Sequence, residues 1–421
     1  MNRQILLRIC PFTMSQFLLI NMVFVILALT LSPPVMAHGE RSQEPFLRMR
    51  TIQWYDVKWS TEKLAVNDTV IVKGKFRVAS NWPDTAAKPD VAFLNISIPG
   101  PVFVRTKSLI NGVNMVNSTS FELGRDYEWE VHLKARHPGR WHVHAMLNVQ
   151  GAGPIVGPGQ FVEVTGDHAE FVNEITTITG DTINLDNYGL KTSIFWHSLW
   201  GVLAVMWLAY WLHKPLLFYR FRKVNEGQAD ILVTRTNKIV AAIVLGLSIS
   251  ITFIGYQWAE NSWPETIALQ SANSPVEPLP QAENKVDVKL VKGIYRLPGR
   301  SMEMRLEITN NTAGPIRLGE FSTATVRFIN PTVGLMDSDS ANYPEHLLAR
   351  HGLTLSDDSY IAAGETRVIK VIAQDAAWET ERLATLIYDP DSRFGGLLFF
   401  YDEQGSRYIS SVGGVLSPRF I

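Results

Sequence analysis

Residues 140–149 read Arg140-Trp141-His142-Val143-His144-Ala145-Met146-Leu147-Asn148-Val149, and their alternation decides the class of fold. In an extended strand, successive side chains point to opposite faces. Trp141, Val143, Ala145 and Leu147 then make one uniformly apolar face, suited to a core, while Arg140, His142, His144 and Met146 share the other. Working outward, apolar-rich runs at 69–78, 91–98, 127–135 and 160–164 are separated by turn segments such as Asn81-Trp82-Pro83 and Pro138-Gly139. Short strands at this spacing predict an antiparallel sandwich or barrel. A linker rich in Pro, Ser and Asn covers 271–284. Beyond it, runs at 286–297, 302–309, 323–329, 367–372 and 396–401 predict a second sandwich of similar size. The glycine-rich stretch 151–159 lacks the spacing of a nucleotide fingerprint, contains prolines and leads into no helical pattern, so it is discounted as one.

Between the β-patterned regions lie two stretches of membrane length, 194–212 and 239–256. Trp196, Trp200, Trp211 and Trp258 cluster toward their ends, as interfacial belts do. The intervening loop carries Lys214, Arg220, Arg222, Lys223, Arg235 and Lys238 against only Glu226 and Asp230. Positive charge beside a membrane marks the cytoplasmic side, so both β regions are expected outside. The amino terminus agrees. Arg3 and Arg8 precede an apolar run over 17–31; Ser32, Pro33 and Pro34 break it, and Val35-Met36-Ala37 offers a cleavage site. That is the pattern of a secretory signal peptide. The expected division is signal peptide 1–37, a first β domain 38–185, a hairpin 190–260, a linker 261–284 and a second β domain 285–421.

Composition narrows the chemistry. The chain has 421 residues, is 46% hydrophobic and 19% charged, and carries 12 tryptophans, a balance that fits a part-membrane protein. Losing Arg3 and Arg8 would leave a mature charge of about −3. No basic stripe or reading motif points to nucleic acid. The single cysteine, Cys10, falls in the expected signal peptide, so a mature chain has no disulfide and no thiolate ligand. Blue copper, dinuclear Cys-pair copper, zinc-ribbon and iron–sulfur sites all need cysteine. Any metal here is held by nitrogen and oxygen.

Two histidines one pleat apart have Cα atoms about 7 Å apart, and metal–nitrogen bonds of about 2 Å let His142 and His144 converge on one ion. A pair of polar histidines on a solvated sheet face is the competing reading. Cleavage after Ala37 would place His38 first. Its α-amine, with a free pKa near ~7.7–8.0, yields its proton to a strongly bound metal. Copper(II) heads the affinity series for nitrogen donors. Amine and imidazole of one residue close a chelate ring, so the second bond adds little entropic cost. His132, His137, His168, His197, His213, His346 and His351 are weaker candidates, and no Ser-His-Asp order, P-loop or zincin motif is present.

With those residues in hand, a resemblance stands out. His38-Gly39-Glu40-Arg41-Ser42-Gln43, continuing through Phe46-Leu47-Arg48-Met49-Arg50-Thr51-Ile52 to Trp54-Tyr55-Asp56, resembles the mature start of the B subunit of the copper membrane monooxygenases. Arg140-Trp141-His142-Val143-His144 resembles its His-x-His segment. That family contains the ammonia monooxygenases and the particulate methane monooxygenases, and the domain order matches over nearly the whole chain. The resemblance implies a mainly β chain, with two cupredoxin-like β-sandwich domains joined by a two-helix transmembrane hairpin. It implies a copper site from His38, His142 and His144, assembly with the A and C subunits of the monooxygenase as a trimer of heterotrimers, O2 as co-substrate and quinol as reductant. It also implies a bacterial inner or intracytoplasmic membrane, with both β domains periplasmic.

Some methane-oxidising relatives carry a further bis-histidine copper site in the first domain. The matching positions here are Gln53 and Arg77; glutamine is a weak donor and arginine does not deprotonate, so no second copper site is expected there. The departure leans the expected reaction toward ammonia, oxidised with O2 to hydroxylamine. Candidate copper ligands in the family's membrane-embedded C subunit compete for the catalytic role, which stays open. A non-catalytic scaffold, docking soluble domains on a membrane complex, is the alternative from another class; an electron-transfer domain like that of the copper-bearing oxidases is disfavoured by the missing cysteines.

Overall fold

A computed structural model describes residues 43–177, 180–212, 214, 217–263, 274–281, 286–297, 300–333, 343–389 and 391–420. Its first sandwich is built from β1 (Ile52–Trp59), β2 (Lys63–Ala65), β3 (Thr69–Val78), β4 (Ala92–Ser97), β5 (Phe103–Ile110), β6 (Val113–Asn114), β7 (Asp126–Ala135), β8 (Gly139–Val149) and β9 (Gly153–Thr165). One sheet runs β1-β3-β7-β5-β6 and the facing one β2-β9-β8-β4. Apolar residues alternate inward on both. Val143, Ala145 and Leu147 of β8 are fully buried against Trp54, Phe76, Trp129 and Val131 of the other sheet, the packing that period-two patterning demands. Trp54 meets Phe76 and Trp129 edge-on, each at 5.5 Å between ring centroids. The glycine stretch at 151–159 proves to be the β8–β9 hairpin turn and the start of β9.

A small hairpin, β10 (Glu174–Thr176) with β11 (Thr182–Asn184), leads to two helices long and apolar enough to cross a membrane. With α1 given to Pro45–Arg50, these are α2 (Leu190–Leu212) and α4 (Arg235–Ser262), with the short α3 (Phe218–Asn225) between them. At 1.5 Å per residue each long helix exceeds the roughly 30 Å of a hydrocarbon core. α4 starts before its apolar run because Thr234 caps it, its hydroxyl accepting from the Asn237 N–H at 3.3 Å. The two helices touch at both ends. Trp196 lies over Gly255, where an added Cβ would sit 2.8 Å from the indole, and the Tyr210 hydroxyl donates to Asn237 Oδ1 at 2.7 Å.

The second sandwich has one sheet ordered β17 (Leu353–Leu355), β18 (Thr366–Gln374), β13 (Ser301–Asn310), β12 (Val286–Arg296) and β21 (Ser417–Arg419). The other runs β16 (Leu348–Ala349), β15 (Val326–Ile329), β14 (Ile316–Thr323), β19 (Arg393–Asp402) and β20 (Arg407–Val415). A four-residue α5 (Ala377–Thr380) places Trp378 in this core. The expected single strand over 323–329 is instead a hairpin: Ala324 and Thr325 take φ of 47° and 71°, a left-handed turn without the usual glycine or asparagine.

The two sandwiches are fastened together through α1. Met49 enters the second core. The fully buried Arg48 donates to the Glu381 carbonyl at 2.7 Å and the Ala324 carbonyl at 3.1 Å, and pairs with the equally buried Glu381 carboxylate at 3.3 Å. Arg50 binds Asp391 at 2.6 Å. Gly395 has to be glycine for this docking, since a Cβ there would meet the Met49 carbonyl oxygen at 2.7 Å. Farther along the seam Asp56 holds Arg407, and Tyr55 packs on Phe399.

Candidate metal centre

The site begins in the β8–β9 register. His142 stands opposite Phe161 and His144 opposite Gly159, with a bulge immediately after, between His144 and Met146. Opposed side chains on one sheet face interact directly, and each pair does so differently. The His142 ring stacks on Phe161 at 4.3 Å and 14°, and the Arg140 guanidinium lies over Phe161 at 4.1 Å, so the imidazole is held in one plane. Gly159 offers no side chain; the His144 ring lies across the bare backbone, and an added Cβ there would sit under 3.0 Å from it. Glycine inside a strand often marks such a close approach.

His144 Nδ1 lies 3.2 Å from the Gly157 carbonyl oxygen. A carbonyl only accepts, so it holds the proton on Nδ1 and leaves Nε2 as the ring's donor of a lone pair. That Nε2 is 3.0 Å from His142 Nδ1. This 3.0 Å contact is a hydrogen bond between the two rings. Two nitrogens each about 2.0 Å from one ion would stand about 2.8 Å apart at the right angle copper(II) favours and about 3.3 Å at a tetrahedral one, so the pair needs little movement to share an ion. The donor set and its spacing therefore fit copper.

His142 and His144 share a face, and the competing reading of a solvated pair fails at His144, which is 3% exposed. The reason lies on the neighbouring strand, whose glycines let the ring fold onto it. Sequence reasoning missed Gly157, Gly159 and Phe161, although the run Gly157-Pro158-Gly159 directly preceding the strand's polar–aromatic step was the available signal.

His38 lies outside the described residues. The chain enters them at Gln43, whose side chain clamps β9, Oε1 accepting from the Val156 N–H at 2.8 Å and Nε2 donating to the Pro154 carbonyl. That anchor is next to Gly157, the partner of His144. The remaining histidines are elsewhere. His132 contacts Glu130 at 2.5 Å. His137 stacks on His168 at 3.9 Å, and loss of hydration first, then the neighbouring His168 and Arg136, hold its pKa below the usual imidazole value. His197 bonds the Ser193 carbonyl within α2 at 2.7 Å, and His213 is outside the described residues. His346 lies in a short 3-10 turn and His351 in the turn after β16. Among the described residues, no group of three metal-ligating side chains forms.

Gln53 and Arg77 are cross-strand partners of β1 and β3. The Gln53 amide donates to the Met49 carbonyl at 3.1 Å. Arg77 grips Asp126 with two bonds, Nε to Oδ1 at 2.9 Å and Nη2 to Oδ2 at 2.7 Å, and reaches Ser411 of the second sandwich at 3.2 Å. Both side chains are committed to structural bonds.

A membrane-length hairpin carrying two β-sandwiches, the first with paired imidazoles in a glycine cradle, defines a class of membrane-anchored protein with a nitrogen-donor pocket. Residues 39–420 match the family described as the B-subunit protein of monooxygenases, and the chain belongs to that family. It is 48% identical over 391 residues, 93% of this chain and 94% of the relative, to the "Particulate methane monooxygenase alpha subunit" of Methylococcus capsulatus. Among solved structures it is similar to the cupredoxin domain of amoB from Nitrosocaldus yellowstonii, with 20% identity and a TM-score of 0.24 over 29% of this chain and 91% of that one. It is also similar to a PapD-like domain of human CEP192, with 12% identity and a TM-score of 0.17 over 36% of this chain and 96% of that one. The chain is thus one component of a membrane monooxygenase.

Proposed function

We propose that this chain binds copper through His38, His142 and His144, and that its complex oxidises ammonia to hydroxylamine with O2 and a quinol reductant. The observation that carries the copper assignment is the 3.0 Å convergence of His144 Nε2 and His142 Nδ1. Each residue has a stated part. The Gly157 carbonyl keeps the His144 proton on Nδ1, so Nε2 faces the ion. Phe161 and Arg140 hold the His142 ring. His38 would add an amine and an imidazole after cleavage behind Ala37, and Gln43, five residues on, is anchored beside Gly157. Copper supplies one-electron chemistry to the complex. The proposed division places the signal peptide at 1–37 and the β domains at 38–185 and 285–421 on the periplasmic side. The complex is proposed to include the family's A and C subunits, as a trimer of heterotrimers.

Ammonia is favoured because Gln53 and Arg77 stand where some methane-oxidising relatives carry a second pair of histidines, and both are bonded elsewhere. Methane is the second reading, favoured by the 48% identity to a protein named as a methane monooxygenase subunit. Oxidation of each gas by membranes containing the complex decides between them. Intact mass and copper content of the purified complex test the site: a mature chain starting at His38, with copper lost in the His142→Ala/His144→Ala variant, is expected. A blocked or different first residue overturns the chelate. If that variant retains activity after losing this copper, the chain is a scaffold rather than a redox participant.

A further inference from the structure

The connection between α2 and α4 contains a helix turned inside out. On α3 and the residue before it, Leu217, Phe218, Phe221 and Val224 fall within one arc of the helical wheel, and Arg220, Arg222 and Lys223 fall outside it. In a helix packed on its own protein the apolar arc would face inward. Here the charged side makes the contacts. Arg220 donates to the Leu232 carbonyl at 2.8 Å and lies over Trp211, the penultimate residue of α2, at 5.2 Å. Lys223 bonds Glu226 and Gln228, each at 2.8 Å. The apolar arc points away: Leu217 is 79% exposed, Phe218 90%, Phe221 69% and Val224 53%. Ile231 and Val233, farther along the connection, are exposed as well.

Two further facts identify what covers it. The Arg220–Trp211 contact ties α3 to the end of α2, a helix long and apolar enough to cross a membrane. Residues 214–238 carry Lys214, Arg222, Arg235 and Lys238 as well, with Glu226 engaged by Lys223 and Arg222. An amphipathic helix with aromatic side chains on one face and basic ones on the other is suited to lie in an interface plane, and a cationic juxtamembrane cluster attracts anionic lipid.

We infer that α3 is an interfacial anchor. Phe218, Phe221 and Val224 insert below the headgroups of the leaflet in which α2 ends, and the exposed Arg222, Arg235 and Lys238 attract anionic phospholipid there. The arc thereby fixes the depth and rotation of the hairpin.

The test uses full-length protein recovered from membranes and reconstituted in nanodiscs. Cys10 is replaced by serine, and single cysteines at Phe218, Phe221, Val224 or Arg222 carry a spin label. Labels at positions 218, 221 and 224 are expected to collide more with dissolved O2 than with a water-soluble nickel chelate, and the label at 222 less so. Three positions on the arc guard against one that disturbs folding. A water-exposed arc overturns the inference, as does an arc shielded from both quenchers, which would identify a protein partner instead. With a fluorophore at position 221, brominated phosphatidylglycerol is expected to quench at about fivefold lower mole fraction than brominated phosphatidylcholine. Arg222→Gln/Arg235→Gln/Lys238→Gln should abolish that preference. Equal quenching by both lipids in the unsubstituted protein overturns the anionic part.

Discussion

Replacing Gly159 by alanine adds one methyl group and should cost most of the metal affinity. Its backbone lies outside the left-handed region, so alanine is barred by space alone. The new Cβ would sit 2.7 Å from His144 Cγ, whereas ordinary contact begins at 3.4 Å. The imidazole therefore has to retreat by about 0.7 Å at Cγ and more at its nearer atoms, in a close-packed setting that resists such shifts. Retreat pulls Nδ1 off the Gly157 carbonyl and swings Nε2 away from His142. Loss of an orienting contact behind a metal ligand typically weakens binding 10- to 100-fold, or about 1.4–2.7 kcal/mol. The assay is a copper titration of the metal-stripped protein against a competing chelator, with thermal melting run in parallel. His144→Ala supplies the comparison. If the glycine acts through this ring, the double variant binds no worse than His144→Ala alone. Affinity of Gly159→Ala within twofold of the unsubstituted protein, or losses that simply add, would refute the cradle.

Three further outcomes follow from other parts of the molecule. Glu381→Gln leaves the Arg48 guanidinium its two carbonyl partners but removes the buried counter-charge and should destabilise the protein by about 3–5 kcal/mol, read as a lower melting temperature and faster proteolysis at the seam. Asp389 is pushed up to about 6, by burial first and then by Glu44 and Asp391. Because this lies above the unfolded value of ~3.9, its stabilising contribution is complete below about pH 4 and is lost as pH rises through about 6. Asp389→Asn should thus raise the melting temperature at neutral pH and leave it unchanged at pH 4; a gain that is equal at both would contradict the assignment. Gly255→Leu forces Trp196 off α4 and should weaken the hairpin by about 1–3 kcal/mol, measured by detergent-titrated unfolding.

What the chain disclosed on reading depended on how local each cause was. Strand β8 and its neighbours were legible because an inward apolar face imposes a two-residue period on adjacent residues, and α2 and α4 because a bilayer demands an unbroken apolar run. The start of α4 at Arg235 was not, since the Thr234 cap rather than hydropathy sets it. Strand β1 carries little alternation because Ile52, Gln53, Trp54 and Tyr55 are all buried, with the second sandwich covering its outer side. Helix α1 has Pro45 at its first turn as a local sign, but its docking depends on partners more than 270 residues away. In the candidate site, His142 and His144 could be named from their spacing alone. The burial of His144 could not, because it is decided by what is missing on the opposite strand.

The clasp formed by α1 also has a bearing on biogenesis. Arg48 finds Glu381 at a sequence separation of 333, and Arg50 finds Asp391 at one of 341. Glu381 and Asp391 emerge from synthesis only after both helices have been threaded. The amino-terminal arm is thus seated by some of the last parts of the polypeptide to be made, and a chain interrupted late in translation would reach the membrane with its leading segment unmoored. Seating of the arm is in this way postponed until the polypeptide is whole, a timing that pulse-labelled synthesis with staged truncations would expose.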